Sequence, residues 1–237
     1  MVNYKRGCKK RKRRVLRKKV AWFLVTVLIT TLLIAVSLAA YKIFNPESYD
    51  KGFVPAPFGT NISKRVKIAK EIELPEWVDV QLIHKHTTAR TGIELTDIKN
   101  IVIHYVGNPE TTAQNNRDYF DKVDTTVSSH FVVGLEGEII QCVPIYEKSA
   151  ASNHRNKDTI SIEVCHPDAS GEFNDETYES LVKLTAYLCN KLLLDQNDVI
   201  RHYDITEKIC PKYYVENEDE WKTFKKEVKK KLDEYEA

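Results

Sequence analysis

Cysteine is scarce in this chain, which has five in 237 residues. Disulfide-stapled secreted domains carry a higher fraction, usually in an even number, so a disulfide framework is not expected. Cys142, Cys165 and Cys189 are predicted to be buried thiols, although a bridge between Cys142 and Cys165 stays open if their strands are neighbours. A His-Glu-x-x-His pair is also absent, which argues against a zinc peptidase built on that helical motif.

Acidic residues are missing from residues 1–19, which hold eleven Lys and Arg, and charge of either sign is missing from Val20 to Tyr41. A helix of that length would span about 33 Å, enough for a hydrocarbon core of about 30 Å. We therefore expect a basic cytoplasmic segment (1–19), a single transmembrane helix (20–41) and the remainder of the chain outside. A signal peptide cleaved near Ala40 is the alternative, although a secretory apolar region usually has only about 7–15 residues.

Positive charge is scarce in the rest of the chain. Subtracting those eleven positive residues from the net charge of +2 leaves −9 for the remainder. Nucleic acid is therefore not an expected partner, because topology and anionic lipid already explain the one dense basic segment. A basic nucleic-acid-binding or nuclear-targeting tail is the alternative for residues 5–19, although such tails are not normally joined to an apolar span.

The residues after Tyr41 suit one domain and a tether. Residues 42–73 contain several Pro, Gly and Asn residues and few apolar repeats, so we expect an irregular extracytoplasmic stalk. The domain itself is expected at 74–237, where Val78 to Ile83 alternates and predicts an edge element or a segment that wraps around the domain.

Short apolar segments bounded by turn residues predict five more strands, with a tight hairpin at Leu135 to Glu138. These strands are Ile101 to Val106, His130 to Leu135, Glu138 to Val143, Ile160 to Val164 and Val199 to Arg201. Helical periodicity is clearest from Asp175 to Leu194, with Asn174 as N-cap, and is weaker from Thr112 to Lys122 and from Glu218 to Tyr235. This order predicts an α/β fold with a central mixed β-sheet flanked by helices.

Three potential metal ligands stand beside predicted strands. His104 ends one strand, and His202 and Cys210 lie in a Pro-terminated loop that follows another. Each residue alone is more often a buried structural side chain. Together, two imidazoles and one thiolate are a ligand set that holds a catalytic zinc while leaving its fourth position open.

The same residues carry a resemblance to a known family. The strand-end His104, the segments Ser129-His130-Phe131 and Ile162-Glu163-Val164, and the closing Arg201-His202-Tyr203-Asp204 with Lys208-Ile209-Cys210-Pro211 resemble the zinc-dependent N-acetylmuramoyl-L-alanine amidases. Bacteriophage T7 lysozyme and the peptidoglycan recognition proteins share that fold. The resemblance covers residues 95–232. It implies hydrolysis of the amide between the lactyl group of N-acetylmuramic acid and L-alanine of the stem peptide.

Carried over residue by residue, the resemblance implies that His104, His202 and Cys210 hold zinc. It implies that Glu163 assists the zinc-activated water as a general acid-base and that Lys208 stabilises the oxyanion. Some members have a catalytic tyrosine where this chain has Ser129, which removes one candidate acid. His154 lies where related amidases present a histidine to substrate, so it is a predicted substrate-binding residue.

The resemblance thus implies a zinc-dependent peptidoglycan hydrolase. The N-terminal basic segment and apolar run, which lie outside the resemblance, predict that it is a single-pass protein of the bacterial cytoplasmic membrane with its N-terminus inside. We expect peptidoglycan or muropeptide as substrate and a monomeric chain. A recognition module of the same fold that binds muropeptides without cutting is the alternative, and Cys210 favours catalysis because non-cleaving members usually lack a zinc ligand. His130 is expected to pack in the interior or to support the ligands, and not to be a ligand itself. His84 and His86 are expected at the surface, although two histidines two residues apart also resemble a small metal site.

Overall fold

The computed structural model describes residues 62–236, together with Trp22, residues 26–31 and Leu33. The basic segment 1–19, most of the expected transmembrane helix 20–41 and the expected stalk up to residue 61 lie outside the described residues. Among the parts of the chain that are described, no helix is both long and apolar enough to cross a membrane. The chain divides into two units, and the second of them, Pro55–Ala237, contains the sheet.

Six strands form one mixed sheet. They are β1 (Val78–Val80), β2 (Asn100–Ile103), β3 (Phe131–Val133), β4 (Ile139–Gln141), β5 (Thr159–Val164) and β6 (Val199–Arg201). Their spatial order is β1-β4-β3-β5-β2-β6. The β3–β4 pair is antiparallel and the other four pairs are parallel. The predicted mixed sheet is confirmed, including β1 as an edge strand.

The turn between β3 and β4 is the tight hairpin that the sequence predicts. The Gly134 amide donates to the Glu138 carbonyl at 2.8 Å, and the Gly137 amide donates to the Gly134 carbonyl at 3.2 Å. Gly137 has a φ of 79°, a left-handed conformation that glycine adopts without a steric penalty. The two strands can therefore reverse within a few residues and pair directly.

Six helices accompany the sheet within the described domain. They are α1 (Lys64–Glu71), α2 (Ala113–Phe120), α3 (Asp175–Leu192), α4 (Tyr203–Thr206), α5 (Lys212–Glu216) and α6 (Glu218–Glu236), and a 3-10 turn spans Asn153–Arg155. The predicted N-cap of α3 is confirmed, because the Asn174 side chain accepts a hydrogen bond from the Thr177 amide at 3.1 Å. Asp175 and Glu176 in its first turn complement the helix dipole.

Alternating strand residues divide the interior between the two faces of the sheet. Phe131 and Val133 of β3 pack in the larger core with residues of α3 and α6, whereas Val132 packs in a smaller core with α2. Successive side chains of a strand point to opposite faces, so this division follows directly from the sequence. In β5, Ile162 and Val164 enter the larger core, which directs Glu163 to the opposite face.

The structure differs from the sequence-based expectation at the start of the domain. Residues 64–71 were expected to belong to an irregular stalk but form α1, and its Val66 and Ala69 are buried in the larger core. Ser63 caps this helix by accepting a hydrogen bond from the Val66 amide. Only two apolar residues of α1 face the core, so its periodicity was too weak to recognise. The packed domain therefore begins before residue 74.

Cysteine behaves as the sequence predicts. Cys142, Cys165, Cys189 and Cys210 are all free and buried. Burial is the main cause that raises the pKa of each thiol to about 12, so each is protonated at neutral pH unless a cation binds it.

Candidate metal centre

The candidate site forms where three parallel strands end at one edge of the sheet. In the ladder Ile103 of β2 is opposite Ile162 of β5 and Arg201 of β6. The next residues along these strands are His104, Glu163 and His202, so the register itself brings them together. Backbone hydrogen bonds extend the pairing by one step: the His104 amide donates to Ile162 at 2.9 Å, and the His202 amide donates to Ile103 at 3.2 Å.

Cys210 reaches the same edge through the loop that follows β6. The Tyr203 amide donates to the Cys210 carbonyl at 2.9 Å, which closes the loop around α4. Arg201 fixes its base: the guanidinium donates to Asp204 at 2.9 Å, to Glu218 at 2.6 Å and to the Tyr214 carbonyl at 3.0 Å. The Arg-His-x-Asp motif therefore has a structural role, because it ties β6 to α4, α5 and α6.

The three predicted ligands meet in space. One donor atom from each of His104, His202 and Cys210 lies within 4.8 Å of the others, and all three residues are buried. The Cys210 Sγ lies 3.8 Å from the His104 Nδ1. The His202 Nδ1 is buried and has no hydrogen-bond partner among the described residues. A buried imidazole nitrogen left without a partner is costly, and a metal ion would satisfy it.

The electrostatics of these donors suit a cation. Burial, and then the charges of His202 and Lys208, hold the pKa of His104 well below its ordinary value. Burial, and then Lys208, lower the pKa of His202 to about 4. Both imidazoles are therefore neutral at pH 7, which is the form that binds metal. The Cys210 thiol would lose its proton on binding a cation, so ligand binding and proton release are coupled here.

Glu163 lies beside the three donors. Its Oε1 is 4.0 Å from the His104 Nδ1, and its side chain is 19% exposed. The Oε2 is buried without a hydrogen-bond partner among the described residues. Burial raises the pKa of Glu163 to about 8, although the charge of Lys208 acts in the opposite direction. A carboxyl group in this environment can hold and release a proton near neutral pH.

Lys208, His154 and Ser129 are placed differently around this centre. Lys208 is exposed, but its charge helps to lower the pKa of His202 and partly offsets the effect of burial on the pKa of Glu163. His154 is an exposed residue of the 3-10 turn. Ser129 is buried, and its hydroxyl donates to the Phe131 carbonyl at 2.7 Å. Its hydroxyl is thus committed to the backbone.

Two neighbours of the candidate ligands were not singled out by sequence reasoning. The Asn153 Oδ1 lies 2.9 Å from the His202 Nε2, and the Ser152 Oγ lies 3.4 Å from the His104 Nε2. Both residues directly precede His154, and only the folding of the chain brings this loop close to the site. Polar residues in a loop are common, so their types alone gave no signal.

The remaining histidines have other roles. His130 is fully buried, its Nε2 lies 2.9 Å from the Glu147 carbonyl, and its Nδ1 accepts from the Ser161 amide at 3.0 Å. It is a packing residue, as predicted. His84 is exposed and pairs with Asp121 at 2.8 Å, and His86 is also exposed.

The domain is similar to proteins that have already been characterised. A family profile described as N-acetylmuramoyl-L-alanine amidase matches residues 94–213. N-acetylmuramoyl-L-alanine amidase BlyA of Bacillus subtilis (strain 168) is 33% identical over 171 residues, which cover 63% of this chain and 46% of BlyA. N-acetylmuramoyl-L-alanine amidase CwlL of Bacillus licheniformis is 31% identical over 156 residues, which cover 59% of this chain and 43% of CwlL. The match thus spans less than half the length of either relative.

Solved structures share the fold. A mutant endolysin from Bacillus subtilis superposes with a TM-score of 0.57 at 25% identity, over 64% of this chain and 97% of the endolysin. The catalytic domain of XlyA also has a TM-score of 0.57, at 24% identity, over 64% of this chain and 98% of that domain. These superpositions indicate that the mixed sheet and its helices form a known architecture.

Proposed function

Because this chain belongs to the N-acetylmuramoyl-L-alanine amidase family, whose profile covers residues 94–213, we propose that it is a zinc-dependent peptidoglycan hydrolase. Its reaction is cleavage of the amide between the lactyl group of N-acetylmuramic acid and L-alanine of the stem peptide. One observation carries the proposal: donor atoms of His104, His202 and Cys210 lie within 4.8 Å of one another at a sheet edge. Two imidazoles and one thiol are a donor set that suits zinc and leaves one position open for a reactant.

The residues of the chain have distinct roles in this reaction. The His104 Nδ1, the His202 Nδ1 and the Cys210 Sγ would hold the ion, which when bound supplies Lewis-acid activation of water and of the amide carbonyl. Glu163 takes a proton from the attacking water and returns it to the leaving amine. A bound cation would also lower the pKa of this carboxyl group, because the charge of the ion adds to that of Lys208.

Lys208 is exposed, and its charge acts on His202 and Glu163, so it supplies positive charge near the centre. A fixed cation beside the tetrahedral oxyanion stabilises the charge that develops during attack. His154 is exposed in the loop that also carries Asn153, and we assign it to substrate contact. With Ser129 bonded to the backbone, Glu163 carries both proton transfers.

The proposal includes a membrane anchor. Eleven positive residues precede an uncharged run from Val20 to Tyr41, and the residues described within that run are helical. The hydroxyls of Thr30 and Thr31 donate to the carbonyls of Val27 and Leu28 at 2.9 and 2.8 Å. Such internal bonds satisfy polar groups in a lipid environment. The anchor would hold the domain outside the bacterial cytoplasmic membrane, with the basic segment inside.

Cleavage itself tests the proposed activity. The purified full-length chain, loaded with zinc, is incubated with muropeptides, and the products are read by mass spectrometry. Release of stem peptides with a free N-terminal L-alanine, abolished by a chelator and restored by zinc, is the expected result. A chain that holds zinc stoichiometrically and binds muropeptides without releasing any peptide would instead be the recognition module.

A further inference from the structure

One loop contacts both candidate histidine ligands on the side away from the metal centre. The Asn153 Oδ1 lies 2.9 Å from the His202 Nε2, and the Ser152 Oγ lies 3.4 Å from the His104 Nε2. The Nδ1 atoms of the two rings do not contact this loop. The His104 Nδ1 lies 3.8 Å from the Cys210 Sγ, and the His202 Nδ1 is buried without a hydrogen-bond partner among the described residues. Each ring thus turns one nitrogen toward the centre and the other toward the loop.

This arrangement fixes which nitrogen should carry the proton. A neutral imidazole has one N–H and one lone pair, and the lone pair must face the metal. If Nδ1 binds the ion, then Nε2 carries the hydrogen and needs an acceptor. The Asn153 carbonyl oxygen is such an acceptor at 2.9 Å, whereas the contact of the Ser152 hydroxyl is long at 3.4 Å. Asn153 is therefore the stronger orienting partner.

The loop holds Asn153 in a defined position. The Asn156 Oδ1 accepts hydrogen bonds from the amides of Ala151 and Ser152 at 3.1 and 2.6 Å. The Arg155 guanidinium donates to the side-chain oxygen of Asn100 at 2.6 Å, and Asn100 is the first residue of β2, the strand that leads to His104. Asn153 itself has a φ of 52°, a left-handed conformation that Asn tolerates better than most other residues. Both its backbone and its side chain therefore suit this position.

We propose that Asn153 is a positioning residue that keeps His202 in its Nε2–H tautomer and aims the Nδ1 lone pair at the metal centre. The inference rests on the proposed zinc function, since it assigns an orienting partner to one of the three ligands. Partners of this kind raise the basicity of a ligating imidazole, and their loss typically weakens metal binding by about 10- to 100-fold.

The test separates the side chain of Asn153 from its backbone conformation. Asn153→Gly removes the acceptor but places a residue there that adopts positive φ without strain. Asn153→Asp keeps an acceptor oxygen at the same position. Asn197→Gly, at an exposed position that precedes β6 at the other end of the strand, is the matched control. Imidazole nitrogen NMR of the zinc-free full-length chain reports the tautomer of His202, and competition with a chromophoric chelator gives the zinc dissociation constant.

The expected result is a single Nε2–H tautomer of His202 in the parent chain, Asn153→Asp and Asn197→Gly. In Asn153→Gly we expect a mixture of tautomers for His202 alone, with zinc affinity lowered about 10- to 100-fold. An unchanged tautomer and affinity in Asn153→Gly would overturn the proposal, as would equal losses in the Gly and Asp variants. The tautomer is read without zinc or substrate, so this result stands apart from whether the chain cleaves muropeptides.

Discussion

Among the three candidate ligands, Cys210 can be replaced with the smallest change in the shape of the side chain. Cys210→Ser keeps the shape of the side chain but replaces a thiol by a hydroxyl that does not ionise near neutral pH. We expect the parent chain to bind about one zinc and this variant to lose tight binding, as should His104→Ala and His202→Ala, because three protein ligands leave no redundancy. Metal content after dialysis against a weak chelator provides the measurement.

The matched control is Cys189→Ala, which removes a buried thiol of α3 that packs in the larger core and is not among the candidate ligands. That variant should retain its zinc. Stoichiometric metal in any two of the three ligand variants would show that the ion, if bound, sits elsewhere.

Glu163 is expected to act on the reaction and not on the ion. Glu163→Ala should keep zinc and substrate affinity while lowering turnover by about 10² to 10⁴, the range for loss of a positioned acid-base group. Lys208→Ala should also keep its metal and lose about 10²-fold in turnover through the missing oxyanion partner. Kinetics with a defined muropeptide, together with zinc analysis of each variant, test both effects. Near-normal turnover by Glu163→Ala would assign the proton transfer to another residue, and His154 would be examined first.

His130 makes the stability of the domain depend on pH. Burial lowers its pKa to about 4, although the Glu147 carbonyl acts in the opposite direction. The ordinary value for histidine is about 6.5, so between pH 6.5 and 4 the unfolded chain binds a proton that the folded chain refuses. Above pH 6.5 His130 is neutral in both the folded and the unfolded chain, so it does not reduce stability. As the pH falls to 4, the free energy of unfolding decreases by up to about 3 kcal/mol because of this residue.

Urea unfolding of zinc-free protein at pH 7, 6 and 5 measures this effect. His130→Gln should flatten the dependence on pH. His104 and His202 also have lowered pKa values, so part of the slope should persist in His130→Gln. A slope identical to that of the parent would show that His130 does not carry the pH dependence.

At the scale of elements, a buried ion pair joins the segment before β2 to the rest of the domain. The Arg90 Nε and Nη2 donate to the two carboxylate oxygens of Glu147 at 2.8 and 3.1 Å, and its Nη1 donates to the Ile83 carbonyl at 2.7 Å. Arg90 is 8% and Glu147 2% exposed. Glu147→Ala leaves the buried Arg90 charge unpaired and should cost about 3–5 kcal/mol, whereas Arg90→Ala should cost less because Lys85 still lies 3.6 Å from the Glu147 carboxylate.

Denaturant unfolding of the single and double variants checks this pair. The double variant should lose less than the sum of the two single variants, because it leaves no charge unpaired. The half-exposed pair between Lys70 and Glu94 provides the comparison, since Lys70→Ala should cost at most about 1 kcal/mol. Additive losses at Arg90 and Glu147 would mean that the two side chains contribute independently.

The elements that could be predicted are those whose pattern is local. Short apolar segments bounded by turn residues mark β3 and β5, and the three- and four-residue spacing of apolar side chains marks α3. The short helices α4 and α5 have too few residues for a period to emerge, and α1 buries only two. Its helical state depends on docking against the larger core, which no local pattern reveals.

The candidate site likewise has parts that local sequence patterns predict and parts that depend on the folded chain. The sequence could predict that His104 and His202 meet, because both stand at the carboxyl ends of strands, and parallel neighbours end at one edge. The sequence also predicts that Glu163 faces away from the larger core, since Ile162 and Val164 alternate with it. The contact of Asn153 with His202 could not be predicted, because it joins two loops 49 residues apart in the chain.

At the scale of the whole molecule, charge divides the chain into two unlike parts. Eleven positive residues lie within the first 19, and the remaining residues carry a net charge of −9. A basic segment of this density favours the anionic cytoplasmic leaflet, at about 1 kcal/mol for each residue near the surface. The acidic remainder has no such attraction, so a domain held beside the membrane would depend on its anchor to remain there.

The proposed topology predicts which part of the chain a protease can reach. If the basic segment keeps the N-terminus inside, a protease added to intact spheroplasts should remove the domain and leave a fragment of the first forty or so residues, protected by the bilayer. Epitope tags at the two ends, followed by immunoblotting, distinguish this fragment from complete digestion. As a control, replacing the positive residues between Lys5 and Lys19 with Gln should weaken the orientation, so that part of the population becomes resistant to external protease. A soluble mature protein that begins near Tyr41 would contradict the anchor and show instead that the apolar run is a cleaved signal peptide, because a membrane helix that remains attached cannot release the domain.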